Sequence, residues 1–512
     1  MRHSLVTRSD LAILPDPTRV LPRLFAPVLD LVSDTESTAS PLLSRLLALS
    51  DEAVASTLAV TCERFGDRHR DLRGAWLANY EQVAHALADP SALSDERRLL
   101  IGACFTSEYS IESAALFNPS AVAHPDQSGL KPGAVRFVLS LRAVGEGHVS
   151  SLEFRSGVVG PGHRLRLEHS GRFAEEGVHR QTTYDREVFR SKLEEAGASG
   201  ESSSLILSSL PERFEDIALR GVRGSLADKS LARREARRSI ELARRIATCG
   251  YEVGFDPSTA LSERVIFPHA PSESHGIEDA RFVRFVDDDG SVTYLATYTA
   301  FDGAEVRPQM IETSDFSSFA MSQISGPAAK NKGMALFPRK LGGRFVALSR
   351  CDRESNSVAT SPDGRHWGEP TALRYPAQPW EVIQVGNAGS PIETPSGWLV
   401  ITHGVGPMRE YCLGAILLDL DDPTQVVGAL RRPLMTPEDD ERDGYVPNVL
   451  YSCGAMSYGD DLLLPYAVSD SSVRFAFVDV PLLLSRLAAD GPVVGFPASR
   501  GSTEHVLREE TA

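Results

Sequence analysis

Between residues 265 and 480 the chain is almost entirely a succession of short strand-like runs, at 282–286, 294–298, 345–348, 398–402, 415–420, 448–451 and 462–466. Tight turns separate them, among them Asp288-Asp-Gly290, Ser361-Pro-Asp-Gly364 and Pro395-Ser-Gly397. Many short antiparallel strands joined by such turns restrict the fold to a sandwich, a barrel or a propeller. Two of the turns also recur: Thr313-Ser-Asp-Phe-Ser-Ser-Phe319 and Thr360-Ser-Pro-Asp-Gly-Arg-His-Trp367 share a Thr-Ser, Asp, aromatic form. Recurrence of that kind suits the same corner of successive blades and favours the propeller.

Upstream, the periodicity alternates. Residues 1–113 are expected to form a helical extension, with leucines at helical spacing from Pro41 to Leu49 and Ser50 as an N-cap. Leu72, Trp76, Leu77, Tyr80, Val83 and Leu87 fall on one helical face, a stripe better suited to helix packing than to a cofactor. Period-two runs at 114–120, 135–142 and 150–155 assign 114–183 to the first propeller strands. Residues 184–250 are expected to be a helical insertion. Its arginine-rich stretch from Ala232 to Ile246 is interleaved with Glu235 and Glu241 and has no stacking aromatics, so it suits a solvated face rather than a nucleic-acid site. The remainder of the propeller is assigned to 251–485, and 486–512 to a C-terminal tail.

Of 512 residues, 69 are acidic and 53 basic, for a net charge of −16. Such a surface repels nucleic acid and anionic membranes, and an anionic ligand needs a local basic patch. Six scattered cysteines without a C-x-x-C pair point to reduced thiols in a cytoplasmic protein, with neither a zinc site nor a disulfide framework. The first residues do not read as a secretory signal, and no run of 18 apolar residues predicts a transmembrane helix.

Candidate chemistry centres on Ser274-His-Gly-Ile-Glu-Asp-Ala-Arg281, where Glu278 and Asp279 are bracketed by His275 and Arg281 at the start of a strand. By itself this is also how a polar turn before an edge strand would read. Downstream, Lys332, Arg350 and His403 stand where strands end or loops begin. Strand ends that face the channel of a propeller converge from different blades, so residues remote in sequence can share one pocket. Asn118, before a proline, and Arg142, at the end of an apolar strand, are each compatible with a turn or a solvated edge.

In order, Gly276-Ile-Glu-Asp-Ala-Arg281, Tyr298-Thr-Ala300, Ser314-Asp-Phe316, Lys332 to Pro338, Arg350, Ser361 to Gly368, Gly397 to Gly404, Leu417 to Pro423 and Gly444 to Val449 resemble glycoside hydrolase family 130, the β-mannoside phosphorylases and related β-mannosidases. Phe117-Asn-Pro119 and Leu141-Arg142 resemble the family's opening blade, so the resemblance covers about 114–160 and 255–480. It implies a five-bladed β-propeller. It also implies that Asp279 is the catalytic acid, that Lys332, Arg350, His403 and Tyr411 hold inorganic phosphate, and that Asn118, Arg142, Glu278 and Arg281 surround the sugar. Ala280 departs from the family's usual Glu-Asp-Pro-Arg.

Elementary chemistry agrees with this assignment. Inverting cleavage needs one protonated carboxyl beside the leaving oxygen and a nucleophile on the opposite face. When phosphate is the nucleophile, a second carboxylate repels it and a cationic clamp serves instead, which Lys332, Arg350 and His403 would supply, with arginine as a planar fork and lysine as a point charge. Burial and Glu278 would raise the Asp279 pKa while Arg281 lowers it, and the sequence leaves that balance open. The resulting expectation is an inverting phosphorylase that takes β-mannoside oligosaccharides and phosphate, gives mannose 1-phosphate, and needs no cofactor or metal. A β-mannosidase with Glu381 or Glu393 as base, or a carbohydrate-binding propeller without catalysis, are the alternatives. The two helical segments could cover the channel, set acceptor length or form a homo-oligomer interface.

Overall fold

The computed structural model describes residues 4–25, 41–195, 201–215, 218–219, 232–493 and 495. Strands dominate from residue 115 onward, and they fall into antiparallel runs whose sequence neighbours are also sheet neighbours. The first run takes Ala115–Ala123, Val135–Val144, Ser150–Gly160 and Arg164–Leu167 in order. A second takes Gly276–Val286, Val292–Phe301, Val306–Thr313 and Ser318–Gln323, extended by Tyr251–Gly254 and Val178–Gln181. The third comprises Ala335–Leu336, Phe345–Ser349, Asn356–Ser361 and Thr371–Arg374. Gln384–Asn387, Gly397–Val405, Tyr411–Leu418 and Val426–Ala429 make the fourth. In the fifth, Leu450–Tyr451, Asp461–Val468 and Ser472–Asp479 are completed by Val6–Ile13 from the other end of the chain.

Each junction between consecutive runs has its own apolar core. Phe154 and Phe282 share one between the first and second, Phe285 and Trp367 one between the second and third, and Phe337 and Trp398 one between the third and fourth. Leu399 and Leu464 join the fourth to the fifth, and a further core holding Phe475, Phe137 and Leu139 joins the fifth back to the first. With sheets packed on both faces, central strands become continuously apolar, which is why every residue of Gly397–Val405 is buried.

The recurrent turns lie at equivalent corners. Thr313 Oγ1 accepts from the Phe316 amide at 2.9 Å before the fourth strand of the second run, and Ser361 Oγ accepts from the Gly364 amide at 2.9 Å before the fourth strand of the third. In both, the following aspartate caps the turn and the aromatic, Phe316 or Trp367, is buried.

Two expectations need correction. Residues 1–113 are not wholly helical: Val6–Ile13 is a strand of the fifth run, and Val20–Leu24 pairs with Thr106–Ser110. Helices occupy the stretch between, from Pro41–Leu47 to Asp95–Cys104, around their own core, and Ser50 caps Asp51–Phe65 as its sequence implies. The C-terminal boundary at 485 falls inside the helix Val480–Asp490, and residues from 496 lie outside the described part. The insertion holds Arg186–Glu195, Glu201–Ser208 and Ala232–Thr248 on a separate core, together with the two-strand pair Tyr184–Asp185 and Arg213–Phe214. The side chains at 232–238, most of the arginine-rich face, lie outside the described residues.

Candidate active site

Two bulges deliver the first polar pair. Pairing slips between Phe117 and Ser120 on one strand and between Glu278 and Arg281 on another, and at those slips Asn118 (φ 50°) and Asp279 (φ 54°) take the left-handed conformation. Asn and Asp tolerate that region better than most residues, but it still costs of order 1–3 kcal/mol, and bulges of this kind serve to re-aim a side chain. The two side chains meet: Asn118 Nδ2 donates to Asp279 Oδ1 at 2.7 Å. Both open onto a cavity of about 580 Å³.

Glu278 is clamped beside them. Arg142 Nη2 donates to its Oε1 at 2.7 Å, Lys332 pairs with its Oε2, and Arg142 Nη1 also reaches Asp279 Oδ1 at 3.4 Å. Arg281, only 1% exposed, turns away from the cavity: it donates to the Asp279 backbone carbonyl at 3.0 Å and to the Tyr451 hydroxyl at 2.8 Å. Its role is therefore to hold the bulge and Tyr451 in place. His275 is exposed and packs against Phe301 rather than lining the cavity.

The opposite wall comes from the third and fourth runs. Arg350 Nη1 lies 3.0 Å from His403 Nε2, and the His403 ring stacks on Tyr411 with centroids 6.1 Å apart. Gly386 makes room for this, since a Cβ there would sit 2.4 Å from Arg350 Cδ and 2.5 Å from His403 Cε1. Every proposed site residue except the inward-turned Arg281 thus lines one cavity.

The electrostatics settle the balance that the sequence left open. Burial alone would raise the Asp279 pKa, but Arg142, Arg281 and Lys332, with the Asn118 hydrogen bond, outweigh it and hold the carboxyl below its ordinary range. His403 is not the third cation of a clamp: burial, then the Arg350 and Arg281 charges, drive its pKa well below the usual value, so it acts as a neutral ring. Sequence reasoning also missed Arg353, Arg409 and Asp470. Each sits on a turn, with φ of 72°, 58° and 48°, and lines the cavity. Burial and the Asp279 charge push Asp470 up to about 7, against Arg142 and Arg409.

Among the described residues, neither suggested base reaches the cavity. Glu393 pairs with Arg339 at 2.7 Å, and the fully buried Glu381 accepts from Arg374 Nη1 at 2.7 Å and from the amides of Ala377 and Gln378. Breaking a buried pair leaves an uncompensated charge. Arg374→Leu is therefore expected to cost about 3–5 kcal/mol, measured by denaturant unfolding.

Residues 248–487 match the glycoside hydrolase 130 family, described as beta-1,4-mannooligosaccharide phosphorylase. A 1,2-beta-oligomannan phosphorylase from Thermoanaerobacter sp. is 31% identical over 241 residues, 46% of this chain and 79% of that one. The chain belongs to glycoside hydrolase family 130. A beta-1,2-mannobiose phosphorylase from Listeria innocua is 32% identical over 234 residues, 44% of this chain, and the match spans 64% of the Listeria protein's length. A beta-1,4-mannooligosaccharide phosphorylase from Ruminococcus albus is 28% identical over 235 residues, covering 43% and 69%. Within the family 130 match lie Glu278, Asp279, Lys332, Arg350, His403 and Tyr411, whereas Asn118 and Arg142 reach the same cavity from upstream of it. No helix among the described residues is long and apolar enough to cross a membrane.

Proposed function

We propose that this chain is an inverting β-mannoside phosphorylase, with Asp279 as general acid and inorganic phosphate as nucleophile, releasing mannose 1-phosphate. The observation that carries this is the charge arrangement of the cavity. In a chain of net −16, Arg142, Lys332, Arg350, Arg353 and Arg409 outnumber Glu278, Asp279 and Asp470 among its lining residues. The wall formed by Arg350, His403 and Tyr411 has no carboxylate that could activate water, and it offers a guanidinium fork to an anion. The names of the family relatives point the same way. The five runs, with cores at every junction including last to first, support a five-bladed propeller with Val6–Ile13 closing the ring.

In the proposed step, a phosphate oxygen attacks C1 of the mannosyl unit from one face. The C1–O bond to the leaving sugar breaks on the other, and Asp279 gives its proton to that oxygen. Asp279 must therefore carry a proton in the loaded site although the free site favours its anion. Phosphate supplies the change, because its negative charge beside Lys332 and Arg350 offsets the field that depresses the Asp279 pKa. After the step, the same field favours the ionised carboxylate that remains. Asn118 holds the acid in line, and Glu278 fixes Arg142 and Lys332.

Incubating the purified protein with β-1,2- and β-1,4-linked mannobiose, with and without phosphate, tests this. Mannose 1-phosphate formed only with phosphate is the expected result. Free mannose released without phosphate would replace phosphorolysis by hydrolysis, and no turnover on any β-mannoside would leave only sugar binding.

Asp470 gives the reaction a pH signature. Below pH 7 it is protonated and neutral, and above that it adds a negative charge beside Asp279 in a phosphate-binding cavity. The kcat/KM for phosphate is expected to fall above about pH 7 more steeply in the wild type than in Asp470→Asn. Phosphate's own ionisation is common to both proteins, so the difference between the two profiles isolates Asp470.

A further inference from the structure

Three arginines line the cavity without an ion-pair partner among the described residues: Arg350, Arg353 and Arg409. Arg350 belongs to the deep wall with His403 and Tyr411. The other two are exposed at the rim.

Their positions are tied to that wall. The Arg353 amide donates to the Arg350 carbonyl at 3.1 Å, so one tight turn carries a deep and a rim guanidinium, and Arg353 Nε is tethered to Asn331 Oδ1 at 3.0 Å. On the neighbouring run, the Glu410 amide donates to the Pro407 carbonyl at 3.3 Å in the turn that holds Arg409, and Tyr411 follows directly. Both rim arginines adopt a left-handed backbone that a non-glycine residue takes only at a cost. Each therefore stands on the same turn as a deep residue, at the mouth of the same cavity. Asp470, the carboxylate that faces Arg409, is pushed up to about 7 by burial and the Asp279 charge, so it carries only part of a negative charge near neutral pH.

We propose that Arg353 and Arg409 form an outer phosphate station above Arg350, His403 and Tyr411, through which inorganic phosphate reaches the deep wall and the sugar 1-phosphate leaves. This rests on the phosphorylase assignment. In a protein of net charge −16, bulk electrostatics oppose an approaching dianion, and a cationic rim on a cleft reverses the local field. The pair also favours phosphate over water as the co-substrate, since only the anion is concentrated by it.

The double variant Arg353→Gln/Arg409→Gln tests the station in phosphorolysis of β-1,2-mannobiose and, in reverse, with mannose 1-phosphate as donor. At low salt, kcat/KM for phosphate is expected to fall about tenfold, with a shallower salt dependence than wild type. The reverse reaction should show the same loss in kcat/KM for mannose 1-phosphate. Arg353→Lys/Arg409→Lys, which keeps the charge, should recover most of it. Lys131→Gln/Arg166→Gln, which removes equal charge from a separate cavity on the first run, should leave it unchanged. Wild-type kcat/KM and wild-type salt dependence in the Gln double variant would overturn the proposal, as would an equal loss in the distal control. Calorimetric titration with phosphate reads the station without turnover. Weaker phosphate binding by the double variant, in a protein found to release only free mannose, would overturn phosphorolysis and leave the station standing.

Discussion

Asp279→Asn is expected to lower turnover by at least about 10²- to 10⁴-fold while leaving the melting transition unchanged, because general-acid assistance is typically of that size. The substitution is close to silent for the fold. Asn accepts the left-handed backbone found at 279, and its side-chain oxygen can still accept from Asn118 Nδ2. The neighbouring cations are not stranded, since Arg142 and Lys332 keep Glu278, and Arg281 keeps Tyr451 and a backbone carbonyl. What disappears is the carboxyl that the proposed mechanism uses as its acid. Initial rates of mannose 1-phosphate release, with thermal melts of both proteins, check this. Near-normal turnover in a folded variant would remove Asp279 from the role.

Legibility in the sequence followed how local the determining interactions are. Strands and turns from 282 onward could be read because alternation, glycine turns and the Thr-Ser/Asp capping of two corners act over a few residues. The strand Val6–Ile13 of the fifth run could not: it is only partly buried, its register is interrupted between Ser9 and Ala12, and its partner lies at the far end of the chain. Glu278 and Asp279 stood out as adjacent carboxylates before a strand, but the conformation that makes Asp279 useful depends on a bulge that only sheet pairing reveals.

The missed residues share one cause. Arg353, Arg409 and Asp470 stand on turns between the second and third strands of three different runs, and a turn residue in sequence carries no sign of what it faces. Charge state misled for a related reason. His403 counts as basic by type, yet burial and then the Arg350 and Arg281 charges hold its pKa well below the usual value, so in the proposed phosphate site it offers a neutral ring. Arg281, expected beside the sugar, turns instead to the Asp279 backbone carbonyl and the Tyr451 hydroxyl, a direction that its place in the motif does not reveal.

Arg350→Ala is expected to cut kcat/KM for phosphate far more than it alters the KM for the mannoside. Truncating one partner of a buried charged contact costs about 2–5 kcal/mol, or roughly 30-fold to a few thousand-fold in rate. Arg350→Lys should recover only part of this, because a point charge replaces a fork that meets both an anion and His403 Nε2. Gly386→Ala offers the same loss by another route, since its new methyl would collide with both Arg350 and His403 while deleting neither. The imidazole provides a readout independent of turnover. With Arg350 gone, one of the two positive neighbours that depress His403 is lost, so its NMR titration should move up toward the ordinary range, still held back by burial and Arg281. The decisive comparison is between products. If water were the natural nucleophile, removing a phosphate ligand would leave release of free mannose intact. A variant that loses mannose 1-phosphate formation without gaining or losing hydrolysis ties Arg350 to the anion, whereas equal loss of both products would make it a structural support of His403 and Tyr411 and return the nucleophile to question.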